Sequence, residues 1–108
     1  MIALRFNSPE EFAEELRKGP PADKILRVTK QFEVSNMHPT IRLVSVIGTF
    51  LNRDGQILRL QTYCGDYWGK EFGDKALTKA EKIMCELSEL GRELNLEIRA
   101  GVYEELKK

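Results

Sequence analysis

The residues with the widest chemical reach lie between positions 63 and 73, in Tyr63-Cys64-Gly65-Asp66-Tyr67-Trp68-Gly69-Lys70-Glu71-Phe72-Gly73. Four of the nine aromatic residues, the single tryptophan among them, fall within this stretch. Tyrosine and tryptophan offer broad apolar faces with a polar tip, while glycines let a backbone fold tightly. Such a segment can wall a small-molecule pocket or anchor a partner. Read as a glycine-rich loop between a strand and a helix, it makes Tyr63, Asp66, Tyr67, Trp68, Lys70 and Phe72 candidate ligand- or partner-binding residues. The competing reading has Trp68 and Phe72 closing the open end of a small core.

Nucleophilic chemistry would need a thiolate with a nearby base, and Cys64 beside Asp66 with His38 as base is the one arrangement on offer. Cys64, however, shares strand parity with Leu58 and Leu60, which predicts a buried and inert thiol. His38 precedes Pro39 in a polar stretch and reads as a loop residue. Cys85 falls on the side of its helix opposite Ile83, Leu87 and Leu90, so it is either an exposed thiol or one covered by a partner chain. Two cysteines 21 positions apart, with one histidine in the chain, support neither a zinc site nor a disulfide framework. There is no Walker or dinucleotide glycine pattern, no HExxH and no GxSxG. No catalytic residue, metal or cofactor is assigned.

A second constellation is spread over several strands: Arg27, Gln31, Arg59, Gln61, Tyr63, Arg99 and Tyr103 share one sheet face with the aliphatic Ile47. Arginine interleaved with tyrosine is what RNA-binding sheets use for phosphate contacts and base stacking. The RNP consensus is missing, and 17 basic residues against 17 acidic leave zero net charge, which argues against nucleic acid because phosphate neutralisation dominates such affinity. The neutrality conceals a segregation: residues 1–23 carry −2, residues 24–70 carry +4 and residues 71–108 carry −2.

The elements that position these residues follow from the periodicity. At 108 residues, 42% hydrophobic and 31% charged, the chain reads as one soluble domain, 1–108, large enough for a core without staples. The amino terminus shows no export signal, and the apolar run Ile41 to Leu51 is too short and too interrupted to span a bilayer, so a cytoplasmic location is expected. Ile2, Leu4 and Phe6 alternate as a short strand. Ser8-Pro9-Glu10-Glu11 opens a helix, with Glu11 completing a capping box, and Gly19-Pro20-Pro21 ends it. Leu26, Val28, Phe32 and Val34 mark a half-buried strand whose apolar row is broken by Lys30, expected to snorkel near an edge. A strand from about Thr40 to Leu51 turns through Asn52-Arg53-Asp54-Gly55 into its partner, and paired positions then place Phe50 opposite Leu58, Val46 opposite Thr62 and Val44 opposite Cys64. Thr78-Lys79-Ala80-Glu81 opens a second helix that Gly91 is placed to end. Leu94 to Val102 alternates as a last strand.

The order β-α-β-β-β-α-β, with one apolar stripe per helix, predicts an α+β two-layer sandwich: a mainly antiparallel four- to five-stranded sheet with two helices on one face. In element order this resembles the ferredoxin-like plait with an extra strand, and its middle part is similar in outline to double-stranded-RNA-binding domains. Both faces of the Ile41–Leu51 strand are apolar, yet two helices can cover only one. The leading expectation is therefore a non-enzymatic interaction domain, homodimerising through its second sheet face or meeting another protein there, without membrane contact. The alternatives are a small-molecule-binding protein or enzyme built on the 65–73 loop, and an RNA-binding domain using the Arg/Tyr face.

Overall fold

The structure is a computed structural model that describes residues 3–18, 21–34, 41–52, 55–67 and 70–104, with the backbone alone at 21–24, 52 and 70–73. Seven elements follow in the expected order: β1 (Ala3–Phe6), α1 (Pro9–Lys18), β2 (Pro21–Val34), β3 (Arg42–Asn52), β4 (Ile57–Tyr67), α2 (Lys70–Glu93) and β5 (Glu97–Glu104). His38, and Arg53 and Asp54 of the turn, lie outside the described residues; Gly55 beside them has the positive φ, 79°, that the turn requires.

The five strands form one sheet in the order β1-β4-β3-β2-β5. The sheet is mixed, not mainly antiparallel. The β2-β3-β4 meander pairs antiparallel as expected, but β1 joins β4 and β5 joins β2 in parallel. The strand order also departs from the ferredoxin-like plait. The reason is steric: a three-strand meander occupies the centre, so each outer strand reaches its edge through a helical crossover, and such a crossover returns the chain in the same direction.

α1 begins as its sequence dictates, with Ser8 Oγ accepting from the Glu11 N–H at 3.4 Å and the Ser8 carbonyl from the Phe12 N–H at 3.1 Å. In place of the expected return bond from the Ser8 N–H to the Glu11 carboxylate, the Ser8 hydroxyl donates to Glu10 Oε2 at 2.7 Å. That bond holds the Glu10 carboxyl below its usual range.

α2 differs from the expectation at both ends. It starts at Lys70, eight residues before Thr78, so the anticipated glycine-rich loop is divided between the end of β4 and the first turns of the helix. At the other end Gly91 lies inside the helix. A Cβ there would stand 2.1 Å from Ile98 Cδ1, so this glycine lets α2 approach β5 closely. The helix ends at Glu93 instead, and Asn95 just beyond it takes φ 56° while the Leu96 N–H donates to the Gly91 carbonyl at 2.7 Å in a Schellman closure.

Even-numbered sheet residues before the bulge face the helices, and except toward the end of β5, where Val102 is exposed, they form one core. Leu26, Val28, Val44, Val46, Phe50, Leu58 and Leu60 meet Phe12 and Leu16 of α1 and Ala76, Ala80, Ile83, Leu87 and Leu90 of α2. Phe12 is fully buried over Gly48 and packs edge-on against Phe6, with ring centroids 6.0 Å apart. Lys30, the polar interruption in this row, reaches Glu81 of α2 in an ion pair with its side chain mostly covered. The anticipated pairing of β3 with β4 holds from Leu51–Ile57 to Ser45–Tyr63, then slips: Val44 pairs with Gly65, leaving Cys64 as the extra residue of a bulge. Gly65 makes the bulge feasible. It takes φ 144°, and a Cβ there would lie 3.0 Å from Ala76 Cβ.

Candidate functional site

Odd-numbered sheet residues, away from both helices, make the second face. Register places its side chains in transverse rows. One row runs Arg5 (β1), Arg59 (β4), Thr49 (β3), Arg27 (β2) and Arg99 (β5). Four arginines thus share one level of the sheet, Arg5 beside Arg59 and Arg27 beside Arg99 at a strand spacing of about 4.8 Å, with Thr49 between the two pairs. Among the described residues Arg5, Arg27 and Arg59 have no carboxylate partner, whereas Arg99 Nε contacts Glu97 Oε2 at 3.0 Å. Like charges in neighbouring strand positions are unfavourable.

The next rows grow apolar and then acidic. Gln61, Ile47, Thr29 and Gly101 occupy one level, and Tyr63, Ser45, Gln31 and Tyr103 the next. Tyr63 and Tyr103 are 53% and 55% exposed, whereas Ser45 between them is buried at 5%. At the third level Leu43 pairs with both Glu33 and Asp66. Gln31 Nε2 donates to Glu33 Oε1 at 2.6 Å, and the Tyr63 hydroxyl donates to Asp66 Oδ1. Donating that bond to a carboxylate favours the protonated phenol and pushes Tyr63 up to about 12. The face is therefore two-ended, basic at the Thr49 level and acidic at the Leu43 level. Half-buried Ile47, Leu51 and Ile57 run between and beyond, with Leu51 and Ile57 directly paired.

Of the residues singled out from sequence, Arg27, Arg59, Arg99, Ile47, Tyr63 and Asp66 come together on this face. Tyr67 does not. The bulge turns it to the helix side, where its ring meets Phe32 edge-on at 6.2 Å. Trp68 and the side chains of Lys70 and Phe72 lie outside the described residues. Sequence reasoning missed Arg5 and Glu33. Their odd positions on β1 and β2 were visible, but the parallel pairing of β1 with β4 and the level shared by Glu33 and Asp66 depend on strand order and on the bulge.

Elsewhere the chemistry is sparse. Cys64 is buried and desolvation raises its thiol pKa, which keeps it a poor nucleophile, while Cys85 is exposed on α2. A groove of about 470 Å³ between the helices is rimmed by Glu10, Glu14, Glu86, Glu89 and Glu93. Arg17 bridges it to Glu93 at 2.8 Å, which holds the Glu93 carboxyl low and the guanidinium high. Among the described residues no three metal-ligating side chains cluster, and no helix is long and apolar enough to cross a membrane.

Comparison of the chain with family models, with curated proteins and with solved structures finds no similar protein. The second sheet face is thus the feature on which a functional reading rests.

Proposed function

We propose that this chain is a non-enzymatic association domain whose working surface is the helix-free face of its sheet, and that a second copy of the chain covers it. The observation that carries the reading is the half-buried aliphatic group Ile47, Leu51 and Ile57 on β3 and β4, which neither helix reaches, flanked by the exposed rings of Tyr63 and Tyr103. Five strands at about 4.8 Å, over the roughly 26 Å from Leu43 to Leu51, offer on the order of 600 Å² per copy. Two copies would bury about 1,200 Å², at the lower edge of stable interfaces. Tyrosine and arginine are also the residues that most often anchor such contacts. Sedimentation velocity tests it: the wild type is expected as a dimer at tens of micromolar, and Ile47→Asp as a folded monomer.

A second reading is a polyanion, and the four-arginine row is what favours it. It predicts a gel shift of single-stranded RNA at low salt that falls steeply as salt rises and disappears on replacing Arg59 and Arg99 by alanine. Zero net charge and the acids at the far end of the same face weigh toward a protein partner.

A further inference from the structure

We infer that the two copies stack with their strands antiparallel, the two-fold axis crossing the strands level with Val46, so that Arg27 and Arg59 of each copy lie over Glu33 and Asp66 of the other. This rests on the dimer reading above and specifies its geometry.

A face-to-face pair related by a two-fold axis has that axis in the plane between the sheets. An axis along the strands keeps every residue at its own level and lays four arginines on four arginines. An axis across the strands reverses the partner's direction and exchanges the two ends of the face. The register fixes where such an axis must lie. Arg27 sits at the level of Thr49 and Glu33 at the level of Leu43, so their midpoint on β3 is Val46. Arg59 also pairs with Thr49 and Asp66 with Leu43, which gives the same midpoint from a different strand. Without the bulge Asp66 would pair with Arg42 and face the helices, so the coincidence depends on the extra residue Cys64.

Other positions agree with that axis. Thr49 meets Leu43 and Ile47 meets Ser45 of the other copy. The Tyr103 ring comes to Gly101, where the space a Cβ would occupy is open. β2 and β4 flank β3 on either side, so the twist between stacked sheets displaces the two charge pairs equally. Each pair occurs twice by symmetry, giving four opposite-charge contacts per dimer that an axis along the strands would forfeit.

The test is an intrachain charge exchange followed by sedimentation velocity across a concentration series, with far-ultraviolet circular dichroism to confirm folding. Arg27→Glu alone and Glu33→Arg alone each replace two attractive contacts by two repulsive ones. Each is expected to raise the dimer dissociation constant about tenfold. The double variant Arg27→Glu/Glu33→Arg restores opposite charges across the axis and is expected to return within about threefold of wild type. Should a variant at Glu33 fail to fold, Arg59→Glu, Asp66→Arg and their double variant repeat the test on β4. A wild-type monomer removes the dimer reading and this geometry with it. A wild-type dimer whose single variants have no effect, or whose double variant is as weak as the sum of the singles, leaves the dimer standing and overturns the axis.

Discussion

Replacing Gly65 by alanine perturbs a backbone position on which both the core and the open face depend. Its φ of 144° belongs to a region that side chains other than hydrogen rarely enter, a strain of roughly 1–3 kcal/mol. The new methyl would also press on Ala76 Cβ at 3.0 Å, adding about 1 kcal/mol of overpacking where α2 crosses β4. The expected loss is about 2–4 kcal/mol. With a urea dependence of about 1.5 kcal/mol per M for a domain of this size, the unfolding midpoint should fall by roughly 1–3 M. Ala76→Gly in the same chain relieves the steric part alone, so the double-mutant cycle should return a favourable coupling of at most about 1 kcal/mol while the backbone strain persists. A second readout is independent of stability. Because the bulge brings Asp66 beside Tyr63, disturbing it should lower the Tyr63 phenol from about 12 toward the ordinary tyrosine range. A loss below about 0.5 kcal/mol with an unchanged tyrosine titration would refute the assigned role of Gly65.

Three further outcomes follow from the same structure. Asp66→Asn should lower the Tyr63 titration seen by ultraviolet difference spectroscopy; since the phenol is raised in the folded state, its stabilising contribution is complete below the unfolded value of about 10 and is lost as pH rises to about 12. An alkylating reagent followed by mass spectrometry should modify Cys85 in the native protein and Cys64 only in denaturant, because the first is exposed and the second is buried with a raised pKa. Phe12→Ala should cost about 3–5 kcal/mol in chemical denaturation, since the ring is fully buried over Gly48 and against Phe6.

Much of the fold is written in local pattern. Ser8-Pro9 marks the start of α1, the alternation around Leu26 to Val34 shows β2, and the turn ending at Gly55 sets the β3–β4 register for seven successive pairs. What the pattern did not contain was long-range. That β1 and β5 pair in parallel at the edges depends on which strands the crossovers leave available. Residues 65–73 read as a loop because three glycines and three aromatics within nine positions weaken both helix and strand signals, yet α2 begins at Lys70 and packs Ala76 close to Gly65. Gly91 likewise reads as a helix end because glycine commonly serves there, whereas here it admits Ile98.

The candidate site divides in the same way. Arg27, Arg59, Arg99, Ile47 and Tyr63 could be assigned to one face from parity, because parity is all that a strand needs to choose a side. Their arrangement as a basic end and an acidic end could not, since it requires the registers of four pairings and one bulge. The zero net charge of the whole chain thus coexists with a strongly polarised surface: three unpaired guanidinium groups among the described residues at one level, and two carboxylates about 20 Å along the strands at another.

Whether the second sheet face is an interface is decided by sedimentation velocity of the wild type beside Ile47→Asp. The predicted result is a wild-type dimer at tens of micromolar and a folded, monomeric Ile47→Asp. A wild-type monomer over that range, or a dimer that Ile47→Asp leaves intact, would contradict it.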